Sequence, residues 1–490
     1  MAGMDLNIYG DGRRLAHKLF HQTDTVQNIG KKMKAKFAIL LLSVWLSGCD
    51  QTVVKDISID ELSKNLNNPD YLIIDTRPDS LFFGFKDKDA ARGGHIQGAM
   101  QFTTGWLDFI DENKFTHFVE EKGITKEKTL VFYDSNLDDL ERVTAEFAAK
   151  GYNVLAFKEF IKYANADYPM DKYPNYWMSV SPSWVNAALN GEKPESYTSE
   201  QKPVIFEVSW GDAEQSKSYS THIKGAYHFN TDWIENAPVW NLSEPNVIKH
   251  NLLKNGIHKD TPVVVYSENQ MAALRVLWAL KWAGVEDVRF LNGGLNVWVD
   301  AELPTETVVN IPVPIADFGT SIPANPQVTI AMPAEAIQAQ QAGLKLISNR
   351  TWDEYTGKIT GYDYIPRKGE PAGAIWGFGG KNANDMSDYY DPDGTLRNPE
   401  EIFALWKTQG IEPSDHVAFY CGTGWRASVS WFMTQMAGWE NSQIYDGGWN
   451  AWQMDPELPV LNNVQSKITK PSALNDFGEI VKKPGQSCKS

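Results

Sequence analysis

The chain has 490 residues and a formal net charge of −16, from 62 acidic and 46 basic side chains, so it offers no basic surface to a nucleic-acid duplex and that partner is excluded. Aromatic residues make up 12% of it, with 18 tryptophans, which excludes a largely disordered polymer, and the length calls for two to four domains. The three cysteines, Cys49, Cys421 and Cys488, form no Cys-x-x-Cys pair and the nine histidines no ligand-spaced cluster, so neither a metal nor a cofactor is expected.

In chain order, Lys31-Lys32-Met33-Lys34-Ala35-Lys36 is a basic cluster, Phe37 to Leu46 an apolar run, and Leu46-Ser47-Gly48-Cys49 follows. A spanning helix needs about twenty apolar residues, and this run is far shorter, so it reads as a secretory signal that starts at Met33. Its ending resembles a bacterial lipobox. That resemblance implies that Cys49 becomes the lipid anchor after cleavage, and Asp50 behind it favours retention at the inner membrane. The expected location is the bacterial periplasm, with membrane contact through the lipid alone.

Beyond the signal the chain repeats itself three times. The first strands are Tyr71 to Arg77, Val204 to Val208 and Leu346 to Arg350. Gly-Ala turns follow at Gly98-Ala99, Gly225-Ala226 and Gly373-Ala374. The second strands end at Tyr133, Tyr266 and Tyr420, and one constant interval leads from each Tyr to Gly151, Gly284 and Gly438. That interval fits a loop and a helix of about three turns closed by glycine. Phe290-Leu291-Asn292-Gly293-Gly294-Leu295-Asn296-Val297-Trp298 parallels Tyr445-Asp446-Gly447-Gly448-Trp449-Asn450-Ala451-Trp452, and Gly293 and Gly447 stand at the same separation as the Tyr pair. Short buried strands alternating with helices predict an α/β fold: three tandem domains, each a mainly parallel sheet flanked by helices. Proline-rich linkers place the boundaries. Residues 1–48 are leader and signal, 55–168, 180–310 and 327–462 the three domains, and 463–490 a polar tail.

The third repeat carries the chemistry. Val417-Ala418-Phe419-Tyr420 leads into Cys421-Gly422-Thr423-Gly424-Trp425-Arg426, and a helical pattern follows. A thiol at a strand's C-terminal end, facing loop N–H groups and a helix N-terminus, is set up to ionise. The equivalent residues are Asp134 in the first repeat and Ser267 in the second, neither of which can serve as a thiolate nucleophile.

The Asp-x-Arg first strand, the His-Ile-x-Gly-Ala turn, the Tyr-Cys loop and the Asp-Gly-Gly-Trp-x-x-Trp ending resemble the rhodanese (thiosulfate sulfurtransferase) superfamily, in particular its three-domain periplasmic members. In this reading Asn349 stands where the family often has Asp, and Glu370 where it often has His. The resemblance implies that Cys421 takes the outer sulfur of thiosulfate, or of another sulfane-sulfur donor, as a persulfide. The sulfur then passes to a thiol or cyanide, or to a protein acceptor. Substrate-binding groups are expected at Gly422, Thr423, Gly424, Trp425, Arg426, Arg350 and Trp449, with Trp452 in the core. The alternative is a persulfide carrier without turnover. A phosphatase is disfavoured, because Cys421 to Arg426 is one residue shorter than a Cys-x5-Arg phosphate loop. A papain-like hydrolase would need a histidine base on the thiol, and His416 is the near one in sequence.

Overall fold

The computed structural model describes residues 54–461. The signal, Cys49, Cys488 and the polar tail lie outside the described residues. Three five-stranded sheets follow one another, and in each all neighbouring strands are parallel. The first runs Lys55–Asp56, Asn153–Phe157, Thr129–Tyr133, Tyr71–Asp75, Met100–Gln101 from edge to edge. The second and third repeat that order, with Val263–Tyr266 and Val417–Tyr420 as their central strands. The sequence expectation of three parallel α/β repeats is therefore met.

Side-chain alternation sorts each sheet's residues between two cores. In the first repeat Leu130 and Phe132 enter one cluster, Val131 and Tyr133 the other. In the second and third repeats one face of each sheet drains into a single shared cluster, which holds Val263 and Val265 together with Val417 and Phe419. Between those faces lie helices Gln270–Ala283 and Trp425–Met436. Both are buried nearly all round; the first is mostly apolar, and the second also buries Arg426, Ser428, Ser430 and Thr434. Phe290 and Phe432 meet edge to face across this boundary, with ring centroids 5.5 Å apart.

The recurring Tyr has a structural cause. Its ring lies on the opposite, outer face, and its hydroxyl reaches the Gly-Ala turn. Ile96 N–H donates to Tyr133 at 3.0 Å and Ile223 N–H to Tyr266 at 2.9 Å, while the Tyr420 hydroxyl donates to Glu370. Each turn is also pinned by a two-residue antiparallel ribbon, His95–Ile96 with Met170–Asp171 in the first repeat and Glu370–Pro371 with Val460–Leu461 in the third.

Register corrects one sequence alignment. Asp75 pairs with Tyr133, and Ser348 pairs with Tyr420. Ser348, not Asn349, therefore occupies the acidic position, and Asn349 corresponds to Thr76. The carboxylate has moved: Arg77 pairs with Asp75 on its own strand at 2.6 Å, and Arg350 pairs with Glu370 from the turn at 2.6 Å.

The shared core predicts that the second and third repeats unfold together. Phe432→Ala removes a fully buried ring from that core and is expected to cost about 3–5 kcal/mol. In urea unfolding followed by tryptophan fluorescence and circular dichroism, both probes should shift to the same lower midpoint.

Candidate active site

Strand Val417–Tyr420 is central in its sheet, and every residue in it is buried. The chain then turns at Cys421 and enters helix Trp425–Met436 through Gly424, whose φ of 99° lies in the left-handed region that favours glycine. The turn folds the helix's first N–H groups back on the sulfur. Gly424 N–H donates to Cys421 Sγ at 3.2 Å, and the amides of Thr423 and Ala427 also favour its charged form. Burial by itself would push the thiol up. The Arg426 charge and these three amides outweigh burial and hold it below the ordinary thiol value. The Ala427 amide was not foreseen from the sequence.

The double glycine supports the loop from behind. Trp449 N–H donates to the Cys421 carbonyl at 2.8 Å and Asn450 N–H to the Gly422 carbonyl at 3.0 Å. A Cβ at Gly448 would sit 2.5 Å from the Gly422 oxygen, so the approach requires glycine. The same contact recurs without the thiol, where a Cβ at Gly294 would sit 2.5 Å from the Ser267 oxygen. The Gly-Gly motif is thus a loop support, independent of the nucleophile.

Arg426 is fully buried and held by Glu354 in a two-pronged pair at 2.8 and 2.9 Å, with a further bond to the Tyr362 hydroxyl at 3.0 Å. Its Nε has no hydrogen-bond partner among the described residues. Glu354 also accepts from Arg350 Nε at 3.3 Å and from the Thr351 amide at 2.9 Å. Burial would raise Glu354, but the two arginines and the amide hold it down to about 2.

Arg350 is turned entirely to the protein. Its nitrogens donate to Glu354, to Glu370, to the Gly369 carbonyl at 2.6 Å and to the Thr360 carbonyl at 2.8 Å. Arg77 of the thiol-free first repeat does the same, binding Asp75 and the Gly94 carbonyl at 2.8 Å. Trp449 is likewise buried in the core beside Trp452, and its indole N–H donates to the Arg367 carbonyl at 2.8 Å. The sequence reading put Arg350 and Trp449 against substrate. In the fold both hold the loop's surroundings, Trp449 through its backbone N–H.

Tyr362 and Tyr364 were missed by sequence reasoning. The Tyr362 ring lies against Gly422 and leaves no room there for a Cβ. The rings of Tyr362 and Tyr364 are 5.4 Å apart. No sequence signal marked either tyrosine. Glu354 did have one: Thr351 and Glu354 form a reciprocal capping box, a spacing readable in the chain. His416 is exposed, bonds Gln443 at 3.3 Å, and stands at the other end of the strand from Cys421, about 16 Å away at strand rise. It cannot serve as a base for the thiol.

The other repeats lack this chemistry. Asp134 accepts from Thr76 at 2.7 Å and from the Asn136 amide at 2.8 Å, and burial pushes its carboxyl up to about 6. Ser267 accepts from the Asn269 amide at 3.1 Å.

Glu354 generates a pH prediction. Its folded pKa lies below the ordinary value, so its contribution is present above about pH 4.5 and is lost as pH falls toward 2. Glu354→Gln should lower the unfolding free energy by about 3 kcal/mol at pH 7, and the difference from wild type should shrink steadily below pH 4.5. Paired urea titrations from pH 7 to pH 3 measure it.

Comparison with known proteins agrees with this geometry. A model of the rhodanese-like domain matches residues 58–163, 193–301 and 332–455. The chain is 33% identical over 410 residues to the thiosulfate sulfurtransferase YnjE of Escherichia coli (strain K12), covering 83% of this chain and 92% of that one. It is 29% identical over 296 residues to the sulfur carrier protein TtuD of Thermus thermophilus, covering 57% and 95%. Among solved structures, wild-type EanB is similar with a TM-score of 0.80 at 32% identity, covering 84% of this chain and 98% of that one. Other EanB structures hold hercynine, or a cysteine persulfide in a tetrahedral intermediate state with ergothioneine. Three matched segments that together exceed half the chain, each with its own parallel sheet, place the protein in the rhodanese-like family.

Proposed function

We propose that the protein is a thiosulfate sulfurtransferase whose third domain alone is catalytic. The observation that carries this reading is the Cys421 thiol, held below its ordinary pKa by three loop amides and Arg426, with Asp134 and Ser267 in its place elsewhere. The Cys421 thiolate attacks the outer sulfur of thiosulfate. The sulfur–sulfur bond breaks, sulfite leaves with the electron pair, and a cysteine persulfide remains. Cyanide or a thiol then attacks the outer sulfur, and the Cys421 thiolate is released as leaving group. The amides of Thr423, Gly424 and Ala427 hold negative charge on Sγ before and after transfer. Two half-reactions on one covalent intermediate give ping-pong kinetics.

Arg426 supplies the nearest full charge, and Glu354 fixes where that charge sits. Arg350 and Trp449 act through Glu354, Glu370 and the loop backbone. Cys421 is fully buried beneath Tyr362, so donor and acceptor reach it past Tyr362 and Tyr364.

One observation favours a second acceptor. EanB has been solved with substitutions at a tyrosine, a cysteine and a threonine, in complexes with hercynine or ergothioneine. The chain intervals between those three residues equal the intervals between Tyr362, Cys421 and Thr423. A betaine imidazole such as hercynine is therefore a candidate acceptor here as well.

Thiosulfate treatment should add one sulfur atom at Cys421 by intact mass and peptide mapping, and cyanide should then release thiocyanate over many turnovers. Cys421→Ser should do neither. Persulfide formation without turnover to cyanide, thiols or hercynine would mark a carrier, as the name of the Thermus relative suggests. Full transfer by Cys421→Ser would refute the mechanism.

Localisation follows from the leader motif: the protein is a periplasmic lipoprotein anchored to the inner membrane through Cys49. Labelled palmitate should be incorporated by the wild type expressed in a bacterial host and not by Cys49→Ser.

A further inference from the structure

The middle domain has no thiol, yet its helix Gln270–Ala283 lies directly against the catalytic loop. Arg275 on that helix is fully buried. Its Nε donates to Glu235 at 2.8 Å, and its Nη2 donates to Asp446 at 2.6 Å and to the Trp240 carbonyl at 3.3 Å. Its Nη1 makes no hydrogen bond among the described residues and packs on the loop instead: a Cβ built at Gly424 would lie 2.6 Å from it. The second oxygen of Glu235 accepts from the Trp425 indole N–H at 2.5 Å. The second oxygen of Asp446 accepts from Leu242 N–H at 2.7 Å.

These contacts grip the cradle at both ends. Trp425 is the first residue of the helix whose amides face Sγ. Asp446 opens the turn whose Trp449 and Asn450 amides hold the Cys421 and Gly422 carbonyls. Asn450 is itself tied to the middle domain, through the Pro238 carbonyl at 2.9 Å. The two halves of the cradle thus belong to different elements of the third domain, and from the second domain Arg275 reaches one half through Asp446 while its partner Glu235 reaches the other through Trp425.

We infer that Arg275, together with Glu235, is a positioning residue for the persulfide loop: it fixes the spacing between the turn behind Cys421 and the helix amides in front of it. The middle domain is on this view a working part of the active site, and its value lies in the loop and not in its own degenerate Ser267. The inference rests on the sulfurtransferase reading only for its kinetic arm. Loop geometry is also read by the thiol's acidity, which requires no sulfur transfer. The groups facing Cys421 are Arg426 from its own helix and Tyr362 and Tyr364 from the covering segment. An Arg275 variant leaves all of them in the chain.

The experiment compares wild type with Arg275→Met, Arg275→Lys and Lys122→Met. Lys122 is a buried control that pairs with Glu401 at 2.8 Å and joins the first domain to the third. The first readout is the rate of Cys421 alkylation by iodoacetamide against pH. The second is kcat/KM for thiosulfate with cyanide. Arg275→Met should move the alkylation midpoint up by about one pH unit and lower kcat/KM by about tenfold or more, as loss of aligned amides requires. Arg275→Lys should recover part of both. Lys122→Met should lower the melting temperature and move neither. A folded Arg275→Met with the wild-type alkylation profile overturns the inference. If Arg275→Met does not fold, Glu235→Gln decides: it keeps an acceptor for Trp425 but removes the charge that holds Arg275, and an unchanged midpoint there is equally fatal. If no variant or wild type transfers sulfur, the alkylation arm still tests the positioning role, while the proposed function alone fails.

Discussion

The Cys421 loop depends on one buried carboxylate. Glu354 accepts both prongs of Arg426 and one bond from Arg350, all with no solvent access. Two guanidinium groups inside a protein are tolerable only when paired and hydrogen-bonded, because leaving charge in a low dielectric without a partner costs several kcal/mol. Glu354 and Glu370 provide those partners. With Arg426 fixed, its charge lies close enough to Cys421 to offset the desolvation that would otherwise keep the thiol protonated. The pair therefore contributes to chemistry through placement, and its Coulomb gain is largely spent on its own burial.

The three repeats act as internal comparisons. Arg77 in the first domain is buried and paired as Arg350 is in the third, although the first domain has no thiol. That parallel assigns the strand-end arginine to the fold: it ties the first strand to the Gly-Ala turn. The acid that neutralises it is free to come from either side, from Asp75 on the strand or Glu370 on the turn. The Gly-Gly support behind Ser267 makes the same point for the loop. The scaffold recurs in each copy, and the thiol with its arginine stands in one.

Packing sets the second and third copies apart from the first. The second and third sheets share one core, with helices Gln270–Ala283 and Trp425–Met436 face to face within it. A helix that carries the amides for a thiolate gains a fixed position from being enclosed. The first domain adds Phe82 and Phe83 to that shared core, together with polar contacts such as Lys122 with Glu401 and the Trp106 indole with Asp393. Its own two cores are nearly self-contained.

The sequence by itself determined a good deal. Strand alternation, turn glycines and the constant interval from Tyr to Gly defined three parallel α/β repeats, because those signals are local and periodic. The Cys421 loop was legible for the same reason: nucleophile, glycines and arginine lie within six consecutive residues. Even Glu354 could have been found, through its capping box with Thr351. What lay beyond the sequence was everything set by contact between distant segments. Arg350 reads as a ligand for an anion until Glu370 and two carbonyls are seen to claim it, and Trp449 reads as a pocket wall until its ring is seen in the core. Tyr362 over Gly422, and Arg275 against Gly424 from another domain, have no local pattern at all. Their positions follow from how two sheets and two helices share one core, and that is a property of tertiary packing alone.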